Sequence, residues 1–148
     1  MNPLYTICLP DMSEASRGWV ESLRHLHDRK SADTLGAHFT LVFGCATVSS
    51  QVQIEHVRSV ARHFDPIEFH CRRTLPITDA IHGGAHVFLV PDEGHSDIEK
   101  LHDHLYGGVL APCLRQDIPF IPHITLGKFD DLNSAQRQCN EFNRQSLH

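Results

Sequence analysis

Apolar residues recur along this chain in two rhythms, short runs of period two and longer stretches at helical spacing. Tyr5-Thr6-Ile7-Cys8-Leu9, closed by Pro10, predicts a strand. Residues 13–30 predict a helix with Trp19, Leu23 and Leu26 on one face. Gly36 punctuates, and Ala37 to Phe43 predict a second strand ended by Gly44. Residues 50–64 predict a helix whose buried stripe is Ile54, Val57, Ala61 and Phe64; Asp65-Pro66 ends it, because a residue before proline avoids helical angles. Residues 67–77 predict a third strand, with Phe69, Cys71 and Leu75 sharing a face, and Ala85 to Val90 a fourth. Ser96 and Glu99 form a capping box for a helix running to about Gly107, with Ile98, Leu101 and Leu105 as its stripe. Pro112 and Pro119 frame a loop before a strand over Phe120 to Phe129. Asn133 or Ser134 caps a last helix that carries Ala135, Cys139 and Phe142 at i, i+4 and i+7.

The order is β-α-β-α-β followed by β-α-β-α. Each half runs strand, helix, strand, helix, which suggests an internal duplication. No linker divides the halves, so residues 1–148 are expected to form one domain with two pseudo-symmetric lobes.

Composition narrows the function. Apolar residues make up 41% and charged residues 21%, an ordinary balance for a globular chain, and the net charge is −5. An acidic chain is poorly suited to gripping duplex DNA, whose binding draws on many lysines and arginines, but a few placed groups suffice for one phosphate. No apolar run approaches the ~20 residues of a membrane-spanning helix, and no secretory signal opens the chain, so a cytoplasmic location and no membrane partner are expected. The five cysteines are odd in number and include no Cys-x-x-Cys pair; buried free thiols are expected rather than a disulfide framework.

Two short motifs carry chemistry. Ala37-His38-Phe39-Thr40-Leu41 and Pro122-His123-Ile124-Thr125-Leu126 both read His-apolar-Thr-apolar, one in each half. Alternation along a strand turns His38 and Thr40 to one face and Phe39 and Leu41 to the other, and treats the second motif alike. By chance, one such match would arise in roughly 10% of comparable chains and two in about 1%. Cleaving a phosphodiester needs a base on the attacking oxygen and an acid on the leaving one; histidine, titrating near neutrality, serves as either. Threonine hydroxyls donate to the non-bridging oxygens, where charge sits in the transition state. No step needs a metal or another cofactor.

On these residues the chain resembles the 2H phosphoesterase superfamily, in particular its LigT-like group, often labelled 2′-5′ RNA ligase. The resemblance rests on His38-Phe39-Thr40-Leu41-Val42-Phe43-Gly44 and Ile121-Pro122-His123-Ile124-Thr125-Leu126-Gly127-Lys128, and on the element order over nearly the whole chain. It implies a bilobal α+β fold, two antiparallel sheets flanked by helices around a central cleft lined by both motifs. It implies hydrolysis of 2′,3′-cyclic phosphate or 2′-5′ linkages of RNA ends or nucleotides, with ligation as the reverse reaction. It implies His123 as base and His38 as acid, roles that a reversed substrate pose would swap, with Thr40, Thr125 and Lys128 on the phosphate. Lys128 has the opposite strand parity to His123, so it reaches the cleft only if the strand ends or bulges first.

Other residues fit blander roles. Arg72 and Arg73 have opposite parity on one strand, so one faces away from the core; a solvated or salt-bridged role is the expectation. Tyr5 and Phe43 offer aromatic faces to a base, although core packing is the expected use. Thirteen histidines raise a metal reading, but His25/His27 and His102/His104 are spaced i, i+2 on helices and face apart, and nothing completes a set around His82/His86. Two other classes compete with the enzyme: a non-catalytic nucleotide or RNA-end binding module with the same cleft, and a histidine-rich metal-binding protein.

Overall fold

The computed structural model describes residues 3–144. Its strands are β1 (Leu4–Cys8), β2 (Phe39–Cys45), β3 (His70–Thr78), β4 (Ala85–Glu93) and β5 (Ile124–Phe129). Its helices are α1 (Glu14–His27), α2 (Arg29–Thr34), α3 (Ser50–Ala61), α4 (His95–Leu105) and α5 (Leu132–Arg144), with a 3₁₀ turn over Gly108–Cys113. The class is α+β, as expected. The two separate sheets are corrected: the strands form one antiparallel sheet in the order β1-β2-β5-β4-β3. The reason lies at its centre, where β2 and β5 share one paired rung, Phe39 with Ile124, enough to join what would otherwise be two sheets.

The two motif strands resemble one another. β2 and β5 carry the same burial sequence over their first five residues, buried, half-buried, buried, buried, exposed. Both strands contain an irregularity after the threonine. On β5, Phe88 pairs with Thr125 but Val87 pairs with Gly127, so Leu126 is a bulge. On β2, Ile7 pairs with Thr40 but Thr6 pairs with Val42, so Leu41 takes the same place. Each bulge turns two successive residues to the core.

One sheet face is covered. Phe39, Leu41, Val42, Val87, Leu89, Ile124 and Leu126 form a single cluster with Val20 of α1, Ile98 and Leu105 of α4, and Ala135, Cys139 and Phe142 of α5. Burying side chains of this size stabilises by about 1.5–3 kcal/mol each. Gly127 permits the closest approach, since a Cβ there would stand 2.5 Å from the His27 Cβ of α1.

Several local expectations are corrected. α1 turns Val20 and Arg24 inward and leaves Leu26 exposed, because the Arg24 guanidinium has partners within the protein. α3 buries Gln53, whose side-chain amide donates to the Cys45 and Val48 carbonyls, and leaves Ile54 and Ala61 exposed. Gly94, at φ +84°, stands at the N-cap of α4, which places Ser96 inside the helix; Glu99 meets His95 instead of closing a capping box. Asp131, not Asn133 or Ser134, caps α5 by accepting the Ser134 amide at 2.7 Å. The inner face of α5 is Ala135, Cys139 and Phe142, as its spacing predicts. Cys45 and Cys113 are joined by a disulfide, which corrects the expectation of free thiols; Cys8, Cys71 and Cys139 are free, and of these Cys139 is buried while Cys8 is exposed. Among the described residues no helix is long and apolar enough to cross a membrane.

Candidate active site

The open sheet face carries both motifs. Each histidine stands one residue before its strand rather than within it, and the Phe39–Ile124 rung sets their relation. One step to either side, the antiparallel register brings His38 opposite Thr125 and Thr40 opposite His123. Residues so opposed point to the same side with Cβ atoms about 5 Å apart. Because Phe39 and Ile124 enter the core, all four motif side chains emerge together on the other face, each half-buried.

The two imidazoles are held alike. His38 Nδ1 lies 2.8 Å from the Gly36 carbonyl and His123 Nδ1 lies 2.6 Å from the Ile121 carbonyl, in each case two residues back. A carbonyl only accepts, so each Nδ1 carries the hydrogen and donates. In a neutral ring this tautomer leaves the Nε2 lone pair free for a proton.

Their surroundings differ. The Phe88 ring of β4 stacks on His123 with centroids 3.5 Å apart and planes within 8°. Burial lowers the His123 pKa to about 4, against the usual 6.5; the Ile121 carbonyl opposes that fall, and the neighbouring His86 and His38 add to it. His123 is therefore uncharged at neutral pH.

Register also settles Lys128. The Leu126 bulge reverses the alternation, so Lys128 pairs with His86, on the same face as Phe88 and Thr125. This is the condition under which parity allowed it to reach the site. The matching bulge on β2 turns Phe43 to that face, and Tyr5, between the inward Leu4 and Thr6, lies there too. At 61% and 44% exposed, Tyr5 and Phe43 are not core residues, which corrects their expected use.

Arg72 forms ion pairs with Asp92 at 2.7 Å and Glu93 at 3.3 Å, the salt-bridged role expected. Arg73 pairs with Val90, and alternation sets it on the site face with Leu75 and Ile77. The close histidine pairs have separate partners. His25 meets Asp33 while His27 packs on Phe129; His102 stacks on Phe120 while His104 donates to the Lys100 carbonyl. His82 and His86 both approach the Asp79 carboxylate, at 3.5 and 3.0 Å. Among the described residues no three metal-ligating side chains converge.

Phe88, His86 and Asp79 escape sequence reasoning. The signal available was the parity of His86 and Phe88 on one strand, which needs the pairing partner of that strand before it means anything. A groove of about 1090 Å³ between the start of α1 and residues 66–71 includes Leu89 and Ile124 and so opens on the helix-covered face, opposite the histidines and threonines of the motifs.

No curated protein matches the chain. A family model does: the paired His-x-Thr motifs lie within residues 10–147, which match the 2′-5′ RNA ligase superfamily, and the chain belongs to that family.

Proposed function

We propose that this protein is a phosphodiesterase that opens 2′,3′-cyclic phosphates or cleaves 2′-5′ linkages at RNA ends or on nucleotides, using two histidines and no metal. The observation that carries this reading is the Phe39–Ile124 rung, which sets two imidazoles of the same tautomer beside two hydroxyls on one open face.

His123, uncharged at neutral pH, accepts a proton from the attacking water through Nε2. The water oxygen bonds to phosphorus as the bond to a ribose oxygen breaks. Protonated His38 gives its Nε2 hydrogen to that leaving oxygen, and the product is a phosphate monoester beside a free ribose hydroxyl. The same two proton transfers in reverse make a 2′-5′ bond, although water, in vast excess, favours hydrolysis. Thr40 and Thr125 donate to the non-bridging oxygens, and Lys128 adds positive charge two rungs beyond Thr125. Tyr5 and Phe43 present aromatic faces to a base on the β1–β2 side.

The competing reading is a binding module that holds such ends without turnover. Incubation with 2′,3′-cyclic nucleotides and cyclic-phosphate-ended oligonucleotides in EDTA separates the two. Product formation supports the enzyme; tight binding without product supports the module; loss of all turnover in EDTA refutes the metal-free mechanism.

A further inference from the structure

We propose that Phe88 is the positioning residue of this site: its ring, wedged between His86 and His123, sets the plane of the His123 imidazole and keeps water off its face. His123 has one in-plane anchor, the 2.6 Å bond from Nδ1 to the Ile121 carbonyl. A single hydrogen bond leaves a ring free to rock about it. The Phe88 face, 3.5 Å away and nearly parallel, removes that freedom on one side.

Phe88 is itself backed. On its strand His86 stacks on it, with centroids 6.1 Å apart and planes 23° apart. His86 is fixed in turn by Asp79, whose Oδ2 lies 3.0 Å from His86 Nε2. Asp79 is built into the β3–β4 turn, accepting the amides of Ile81 and His82 at 2.9 and 3.0 Å. These bonds, the His82 amide first, hold its carboxyl well below the usual carboxylate range. His86 Nδ1 is buried without a hydrogen-bond partner, so stacking and the Asp79 contact are what locate this ring. The series Asp79, His86, Phe88, His123 thus runs from a rigid turn to a histidine of the site.

Two effects of Phe88 oppose one another. A π face attracts an imidazolium by about 0.5–1 kcal/mol at exposed sites, favouring the charged ring. Exclusion of water favours the neutral one, the direction in which burial shifts this ring. Other charged or titratable groups facing His123 are His38 across the β2–β5 rung, His86 behind Phe88, and Lys128 further along β5.

The catalytic consequence rests on His123 acting as the base, but the state of its ring can be read without turnover. The test is an NMR titration of the full chain, with the His123 ring signals assigned by their loss in His123→Ala. The wild-type midpoint should lie far below that of an ordinary histidine. Phe88→Ala, which opens the ring face to water, should raise it by a full pH unit or more, and Phe88→Val, which covers less of that face than phenylalanine, by a smaller amount, while Phe88→Tyr should leave it low. If the ring reaches the ordinary value, the neutral fraction at pH 5 falls about 30-fold and at pH 8 hardly at all. Turnover of a cyclic nucleotide should then fall selectively at acid pH. An unchanged or lowered midpoint in folded Phe88→Ala and Phe88→Val overturns the inference, whether or not any substrate is cleaved. An absence of turnover with the midpoints as expected would instead overturn the phosphodiesterase reading alone.

Discussion

Removing one carboxylate from α1 should unsettle the lead-in to the first motif. Arg24 is 3% exposed, and Glu21 binds its Nη1 through both oxygens, at 3.0 and 2.9 Å. Arg24 Nη2 donates to the Leu35 carbonyl at 2.8 Å, and Glu21 Oε1 also accepts the amide of the fully buried Ala37 at 2.6 Å. Glu21 and Arg24 therefore pin residues 35–37 just ahead of His38. In Glu21→Ala a buried guanidinium loses its counter-charge, a loss of about 3–5 kcal/mol when nothing replaces it. The Ala37 amide also loses its acceptor, at about 1–3 kcal/mol. These costs share one site and do not add, and the Glu21 side chain is 24% exposed, so water relieves part of them. The expected net loss is about 3 kcal/mol. With a urea m-value near 2 kcal/mol/M, the unfolding midpoint should fall by about 1.5 M. Glu21→Gln keeps an acceptor for Ala37 and should lose less. A midpoint shift in Glu21→Ala worth under about 1 kcal/mol, or equal shifts in the two variants, would refute the reasoning.

Three further outcomes follow from the same structure. Thr40→Val and Thr125→Val should each lower kcat by about 100-fold on a cyclic nucleotide while leaving thermal unfolding nearly unchanged, since valine suits a strand as well as threonine does. Because the folded His123 pKa is about 4 and the unfolded value about 6.5, stability from its neutral state is complete above pH 6.5 and is lost as pH falls through 4. That loss, about 3 kcal/mol by pH 4, should shrink in urea titrations of His123→Asn. Alkylation of the unfolded chain should label three thiols (Cys8, Cys71 and Cys139) without reductant and five with it, as read by mass spectrometry.

The two motifs were legible because alternation and spacing are local properties, and so was the inner face of α5. What escaped was set by distant partners. Leu26 looks as apolar as Leu23, but the carbonyl of Leu35 and the carboxylate of Glu21 draw Arg24 inward and roll α1 away from Leu26. Lys128 reads as facing the core until the Leu126 bulge is known, and a bulge is a property of two strands. The Cys45–Cys113 pair joins residues 68 apart, beyond any spacing rule for so few cysteines. The single rung between β2 and β5 is likewise a contact between the halves, so counting elements could not tell one sheet from two.

The central claim is that His38 and His123 serve one phosphate together. A double-mutant cycle of initial rates on a 2′,3′-cyclic nucleotide, in EDTA, tests it most directly. Groups acting as a unit are not additive. His38→Ala and His123→Ala should each cost at least ~100-fold, and the double variant should be little worse than the poorer single one. Near-wild-type turnover in either single variant, or a double loss equal to the product of the two, would contradict the account.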